Sequence, residues 1–123
     1  MKKYTKKLVP LSPTDRQVLK RASTLAKCLA NPKRLGIVAA LTQAERTVGD
    51  LATHLGIASQ VVSVELRIMR EMGAVSARRE HPEVYYHLTD TRLSQAARLI
   101  RFIADGPTTS VQNLNHDKAG SVK

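Results

Sequence analysis

The stretch from Thr47 to Leu88, TVGDLATHLGIASQVVSVELRIMREMGAVSARREHPEVYYHL, changes its apolar period in a way that few folds accommodate. Val48, Leu51, Ala52 and Leu55 recur at the i, i+3, i+4, i+7 spacing of one helical stripe. Gly56 stops that short helix, because glycine tolerates the left-handed backbone of a helix end. Ser59 is placed to cap a second helix, in which Val62, Leu66 and Met69 supply the core spacing. Gln60, Ser63, Arg67 and Arg70 fall largely elsewhere and are left to face a partner. Beyond Gly73 the period becomes two: Val75 and Ala77, then Val84, Tyr86 and Leu88, alternate with polar or aromatic residues, as in a half-buried hairpin. His81-Pro82-Glu83 marks its turn, with Pro82 expected at the first central position.

An exposed helix carrying amide, hydroxyl and guanidinium groups suits the major groove of DNA, which admits a helix and displays donors and acceptors on its base edges. The charge balance agrees. The chain has 123 residues, one domain by length, with 20 Lys+Arg against 10 Asp+Glu and a formal charge of +10, which favours a polyanion. Only Tyr4, Tyr85, Tyr86 and Phe102 are aromatic, which counts against proteins that stack single-stranded bases on rings and favours duplex DNA. The longest apolar run, Leu35 to Leu41, is too short to span a bilayer. No apolar segment of signal-peptide length follows the first lysines, and one cysteine suits a reducing compartment, so a cytoplasmic location with no membrane partner is expected.

Residues 1–11, with Lys2, Lys3, Lys6 and Lys7, read as a basic flexible arm. Ser12-Pro13-Thr14-Asp15 opens a first helix, whose Val18, Ala22, Leu25 and Leu29 form a stripe widened by Leu19 and Ala26. Asn31-Pro32 opens a second, with Leu35, Ile37, Val38 and Leu41 as its core face. After the hairpin, Thr89-Asp90 is placed to cap a last helix bearing Leu93, Ala96, Ala97, Ile100, Ile103 and Ala104, which Asp105-Gly106-Pro107 ends. Residues 106–123 show no sustained period and read as a disordered tail. The domain proper is thus 12–105. It is mainly helical with a β-hairpin, in the order of four helices, two strands and a helix: a winged helix-turn-helix. The first and last helices carry more apolar surface than such a small core covers, which points to a homodimer joined through them. Its two reading helices would then lie about one DNA turn, roughly 34 Å, apart.

The segments LANPKRLGIVAAL, DLATHLGIASQVVSVELRIMREMGAV, RRE and VYYHL occur in an order and at separations that closely resemble the ArsR/SmtB family of bacterial winged-helix repressors, from Leu25 to Leu88. The resemblance implies a homodimer that binds a palindromic operator, with DNA affinity lowered in most members by a metal or an oxidised thiol. Departures from the family pattern are specific. Where many metal sensors of the family carry Cys-Val-Cys, this chain has Thr47, Val48 and Gly49, which offer no soft ligand. At the family's second metal site Asp90 is kept, but Arg92 stands in place of a histidine, and Ile103 and Gly106 in place of the other ligands. Glu65 occupies a place where the family commonly has histidine; an acid facing the groove would repel phosphate or accept from a cytosine amino group. The turn of the wing lacks the frequent Gly-Arg and is less basic.

These residues lead to a sequence-specific regulator of transcription, a repressor, without a metal or other cofactor. Ser59, Gln60, Ser63 and Arg67 are assigned to the groove, and Arg78, Arg79 and Lys33 to phosphates. Cys28 reads first as a small buried hydrophobe. Its sharper reading is a redox or electrophile sensor, with Lys27 and Lys33 lowering its pKa. His54, His81, His87 and His116 share no ligand spacing, and no phosphate loop, nucleophile elbow or carboxylate pair suggests an enzyme. Three alternatives stay open: a ligand-independent regulator of the anti-silencer type, one controlled through Cys28, and a protein-interaction module that does not bind DNA. The sequence names neither operator nor inducer, small-molecule or redox.

Overall fold

A computed structural model describes residues 7–107 of the chain. The expected arm, apart from Lys7 and its successors, lies outside those residues, as does the expected tail from residue 108, His116 included. The elements run α1 (Pro13–Leu29), α2 (Pro32–Gln43), α3 (Val48–Leu55), α4 (Ser59–Glu71), β1 (Val75–Glu80), β2 (Glu83–Leu88) and α5 (Arg92–Ala104). This is the expected order, a winged helix-turn-helix.

Local chemistry sets most of the boundaries. Ser12 accepts from the Asp15 amide while the Asp15 carboxylate accepts from the Ser12 amide, so two otherwise orphaned donors at the start of α1 are satisfied. Asn31 accepts from the amides of Lys33 and Arg34, and Pro32 supplies the fixed φ of a first helical residue. Thr47 and Asp50 form a second reciprocal cap at α3, which the sequence reading left out. Gly56 closes α3 at φ 68°, a left-handed conformation that a side chain disfavours.

Two expected caps differ. Ala58, extended at φ −66° and ψ 146°, is the residue before α4, so Ser59 is already helical and its hydroxyl caps nothing. At α5 the Asp90 carboxylate accepts from the Arg92 amide at 2.9 Å, but Thr89 points back and donates to the Gly73 carbonyl at 2.6 Å, tying the end of the wing to the end of α4.

The core gathers Ile37, Val38 and Leu41 of α2, Leu51 of α3, Val62, Leu66 and Met69 of α4, and Val75 and Leu88 of the hairpin. Burial of each large side chain there contributes about 1.5–3 kcal/mol. Gly36 lets α2 approach α3 closely: a Cβ built there would stand 2.6 Å from Leu55 Cδ2. On α1 only Cys28 and Leu29 are buried, whereas Val18, Leu19 and Leu25 are exposed. On α5 only Leu93 and Ala97 are buried, and Leu99, Ile100, Phe102 and Ile103 face outward, Phe102 at 67% exposure. An apolar groove of about 750 Å³ runs between these two helices, lined by Leu25, Leu29, Leu93 and Ile100 among others.

The hairpin pairs Val75 with Leu88 through Glu80 with Glu83, leaving His81 and Pro82 as its turn, with the bond between them cis. Pro82 is therefore at the second central position, not the first. Arg46 adds a bridge to the outer side of β2, exchanging backbone hydrogen bonds with Tyr86 at 3.1 and 2.8 Å. The polar lead-in to α3 thereby anchors the wing to the helix-turn-helix.

Candidate nucleic-acid interface

The outward face of α4 follows from its burial pattern. Val62, Leu66 and Met69 are 0–1% exposed, so Ser59, Gln60, Ser63, Arg67 and Arg70 are turned away from the core and are exposed. Among the described residues no side-chain hydrogen bond engages Ser59, Gln60, Ser63 or Arg67. Donors and acceptors that a folded protein leaves unspent on one helix face are available to base edges. The free Ser59 hydroxyl, misplaced as a cap in the sequence reading, adds to that set at the helix N-terminus, the end that enters the groove in helix-turn-helix proteins.

Glu65 does not belong to this face. It is 8% exposed and accepts from Arg34 Nη1 at 2.9 Å. The same guanidinium donates through Nε to the Cys28 carbonyl and through Nη2 to the Lys27 carbonyl, both at 2.9 Å. Arg34 of α2 thus satisfies carbonyls at the end of α1 and holds α4 by its carboxylate. The expectation that Glu65 faces the groove, repelling phosphate or accepting from a cytosine amino group, is corrected: its helical position falls beside Leu66 and Met69, on the flank that packs against α2.

The two wing arginines part company. Arg78 donates to Glu45 at 2.6 and 3.1 Å and to Glu80 at 2.5 Å, and its guanidinium lies 4.9 Å from the centroid of the Tyr85 ring. These carboxylates raise its pKa still further, and Arg78 in turn lowers that of Glu45. These ion pairs hold the wing against the α2–α3 connection and compete with the phosphate contact expected of Arg78. Arg79, one residue on and opposite Val84, is exposed and makes no ion pair among the described residues. Lys33 sits half-buried in the first turn of α2, and no ion pair among the described residues engages its ammonium.

Cys28 is fully buried, and burial raises its thiol pKa against a smaller lowering by Arg34. The charge that acts on it is that of Arg34, not that of Lys27 or Lys33, which were expected to activate it. A thiol held protonated and out of solvent is a poor nucleophile.

At the start of α5 both oxygens of Asp90 accept from Arg92, at 3.0 and 2.6 Å, and the guanidinium lowers the carboxyl pKa to about 2. Among the described residues no three of His, Cys, Asp and Glu are grouped so as to hold a metal ion. No helix among them is long and apolar enough to cross a membrane.

A helix-turn-helix with an uncommitted polar reading face, followed by an anchored wing, defines the class: a winged helix-turn-helix protein of the DNA-binding type. Residues 31–77 match the profile of the bacterial regulatory proteins of the arsR family. The biofilm growth-associated repressor of Agrobacterium fabrum is 37% identical over 92 residues, covering 75% of this chain and 75% of that protein. Its Xylella fastidiosa counterpart of the same name is 35% identical over 85 residues, covering 67% of this chain and 75% of that protein. Among solved structures, a homodimeric winged helix-turn-helix DNA-binding domain from Mycobacterium bovis superposes with a TM-score of 0.68 at 31% identity, covering 80% of this chain and 91% of that one. The chain belongs to the arsR family of bacterial regulatory proteins.

Proposed function

We propose that the protein is a transcriptional repressor that binds a palindromic duplex operator as a homodimer through α4 and the wing, and that it does so without either of the metal sites of its family. The carrying observation is the face of α4: Ser59, Gln60, Ser63 and Arg67 are exposed and unspent, while the core residues between them are buried. Arg79 and Lys33 are assigned to phosphate. The relatives from Agrobacterium fabrum and Xylella fastidiosa are named repressors.

Dimerisation is supported by the apolar surface on α1 and α5, which a second copy would cover. Contiguous exposed Leu99, Phe102 and Ile103 on one helix are otherwise costly to hold in water. The similar domain from M. bovis is a homodimer. Lack of metal control is supported by Thr47, Val48 and Gly49 at one family site and by the capture of Asp90 by Arg92 at the other. Occlusion of a promoter by a bound dimer needs no chemistry beyond mass action.

The test is equilibrium binding of the full chain to a duplex enriched from a random pool, against a scrambled duplex, over a salt series. A repressor of this kind prefers the enriched sequence by about 10³-fold or more and loses affinity steeply with salt. Equal affinity for both duplexes, or none, would favour a protein-interaction module.

A further inference from the structure

We propose that Val64, flanked by Val61, is a specificity-determining contact that reads the 5-methyl group of a thymine in the major groove. The inference rests on the DNA-binding role given above and adds the base it selects. Val61 and Val64 are 37% and 41% exposed on α4, whereas Val62, between them, is 0% exposed. At about 100° per residue, Val64 points roughly 170° away from the mean direction of Val62, Leu66 and Met69, so it lies at the centre of the outward face and not at its margin. Its helical neighbours on that face are Gln60 four residues before and Arg67 three residues after, the groups assigned to base edges.

Val64 thus leaves about two-fifths of a β-branched apolar side chain in water on that face. The basic and amide-bearing groups around it make the surface complementary to DNA, not to an apolar protein face. Within the major groove the one apolar feature of a base pair is the thymine C5-methyl, set beside O4, which accepts hydrogen bonds. A valine between a glutamine and an arginine therefore matches a thymine adjacent to the bases those two residues read. Val61, three residues before Val64 and nearer the core flank, widens the apolar strip on one side.

The experiment uses the full chain and the duplex enriched from a random pool, with each thymine replaced in turn by deoxyuridine, which removes the methyl and keeps O4. One thymine per half-site is expected at which uracil weakens binding about fourfold, and roughly fifteenfold when both half-sites are changed. In Val64→Ala the penalty at that position disappears, while penalties at other positions persist. Because Val64 is exposed, the variant is expected to unfold at the same urea concentration as the parent, and that midpoint is measured alongside. Uracil penalties unchanged by Val64→Ala at every position, or an enriched sequence without a thymine in the half-site, overturn the inference while leaving the DNA-binding role intact. Failure to enrich any sequence overturns both, and is recognised by equal binding to every duplex.

Discussion

Arg34 of α2 and Glu65 of α4 form a 2.9 Å ion pair in which both side chains are nearly out of water, at 14% and 11% exposure. The pair connects the helix proposed to read DNA with the C-terminal end of α1, whose Cys28 and Lys27 carbonyls accept from the same guanidinium. One arginine therefore fixes the orientation of the reading helix relative to a helix proposed to form the dimer.

Breaking that pair from one side strands a shielded charge. Glu65→Ala is expected to cost about 3 kcal/mol of stability, and Arg34→Ala at least as much, since two carbonyls also lose their donor. The double variant Arg34→Met/Glu65→Leu is expected to recover part of the loss, because an apolar pair of similar volume needs no desolvation. Urea unfolding at one fixed chain concentration checks this, the fixed concentration being needed wherever association contributes. A double variant that loses as much as the two single variants added together would show that the pair is not energetically coupled.

The arginines are expected to separate into three behaviours in binding assays. Arg67→Ala should cost about 1–3 kcal/mol and relax the preference at one base pair, the signature of a base-edge contact. Arg79→Ala should weaken binding to all sequences alike and lower the salt slope by about 1 per chain, the signature of a phosphate contact. Arg78→Ala should leave the salt slope nearly unchanged, since Glu45 and Glu80 already neutralise that guanidinium. Affinity measured for each variant from low to moderate salt, on enriched and scrambled duplexes, distinguishes the three.

Cys28 should behave as core, not as a sensor. Its thiol is buried and its pKa raised, so in the native protein it is expected to react with a thiol reagent far more slowly than in urea. Cys28→Ala should lower stability by about 1 kcal/mol and leave the response of DNA affinity to peroxide unchanged. A native labelling rate equal to that of the unfolded chain would return the redox reading to consideration.

The Asp90 carboxyl, lowered to about 2 by Arg92, contributes a small pH dependence of definite sign. A depressed carboxyl stabilises the folded chain above its unfolded pKa of about 3.9 and loses that contribution as pH falls toward 2. The pair is exposed, so the stabilisation is minor, but the titration is observable. NMR of the Asp90 carboxyl should give a midpoint near 2 in the parent, moving up toward the ordinary value in Arg92→Ala.

The fold was legible because its signals are local: the apolar period switches from helical to alternating at Gly73, and Ser12, Asn31 and Gly56 carry helix ends in their own side chains or lack of one. The outward face of α4 was legible for the same reason, since core spacing leaves Gln60, Ser63 and Arg67 exposed. What was missed depends on partners distant in sequence. Glu65 and Arg34 are 31 residues apart, and Arg78 and Glu45 are 33 apart, so no window of sequence shows that one acid turns inward or that one wing arginine is ion-paired. The Arg46 bridge to Tyr86 is of the same kind. Ser59 was displaced by one residue because Ala58, without a capping side chain, holds the extended backbone before α4. Val61 and Val64 were overlooked as ordinary helix residues; their signal was their place on the polar side of the wheel.

Dimethyl sulfate protection of the enriched duplex tests the proposed mode of binding most directly, because the reagent reports on guanine N7 in the major groove. Two protected major-groove segments, centred roughly 10 base pairs apart and related by the symmetry of the site, are expected with the parent chain. Protection confined to a single segment, or none at concentrations that saturate the duplex, would contradict a dimer reading DNA through paired α4 helices.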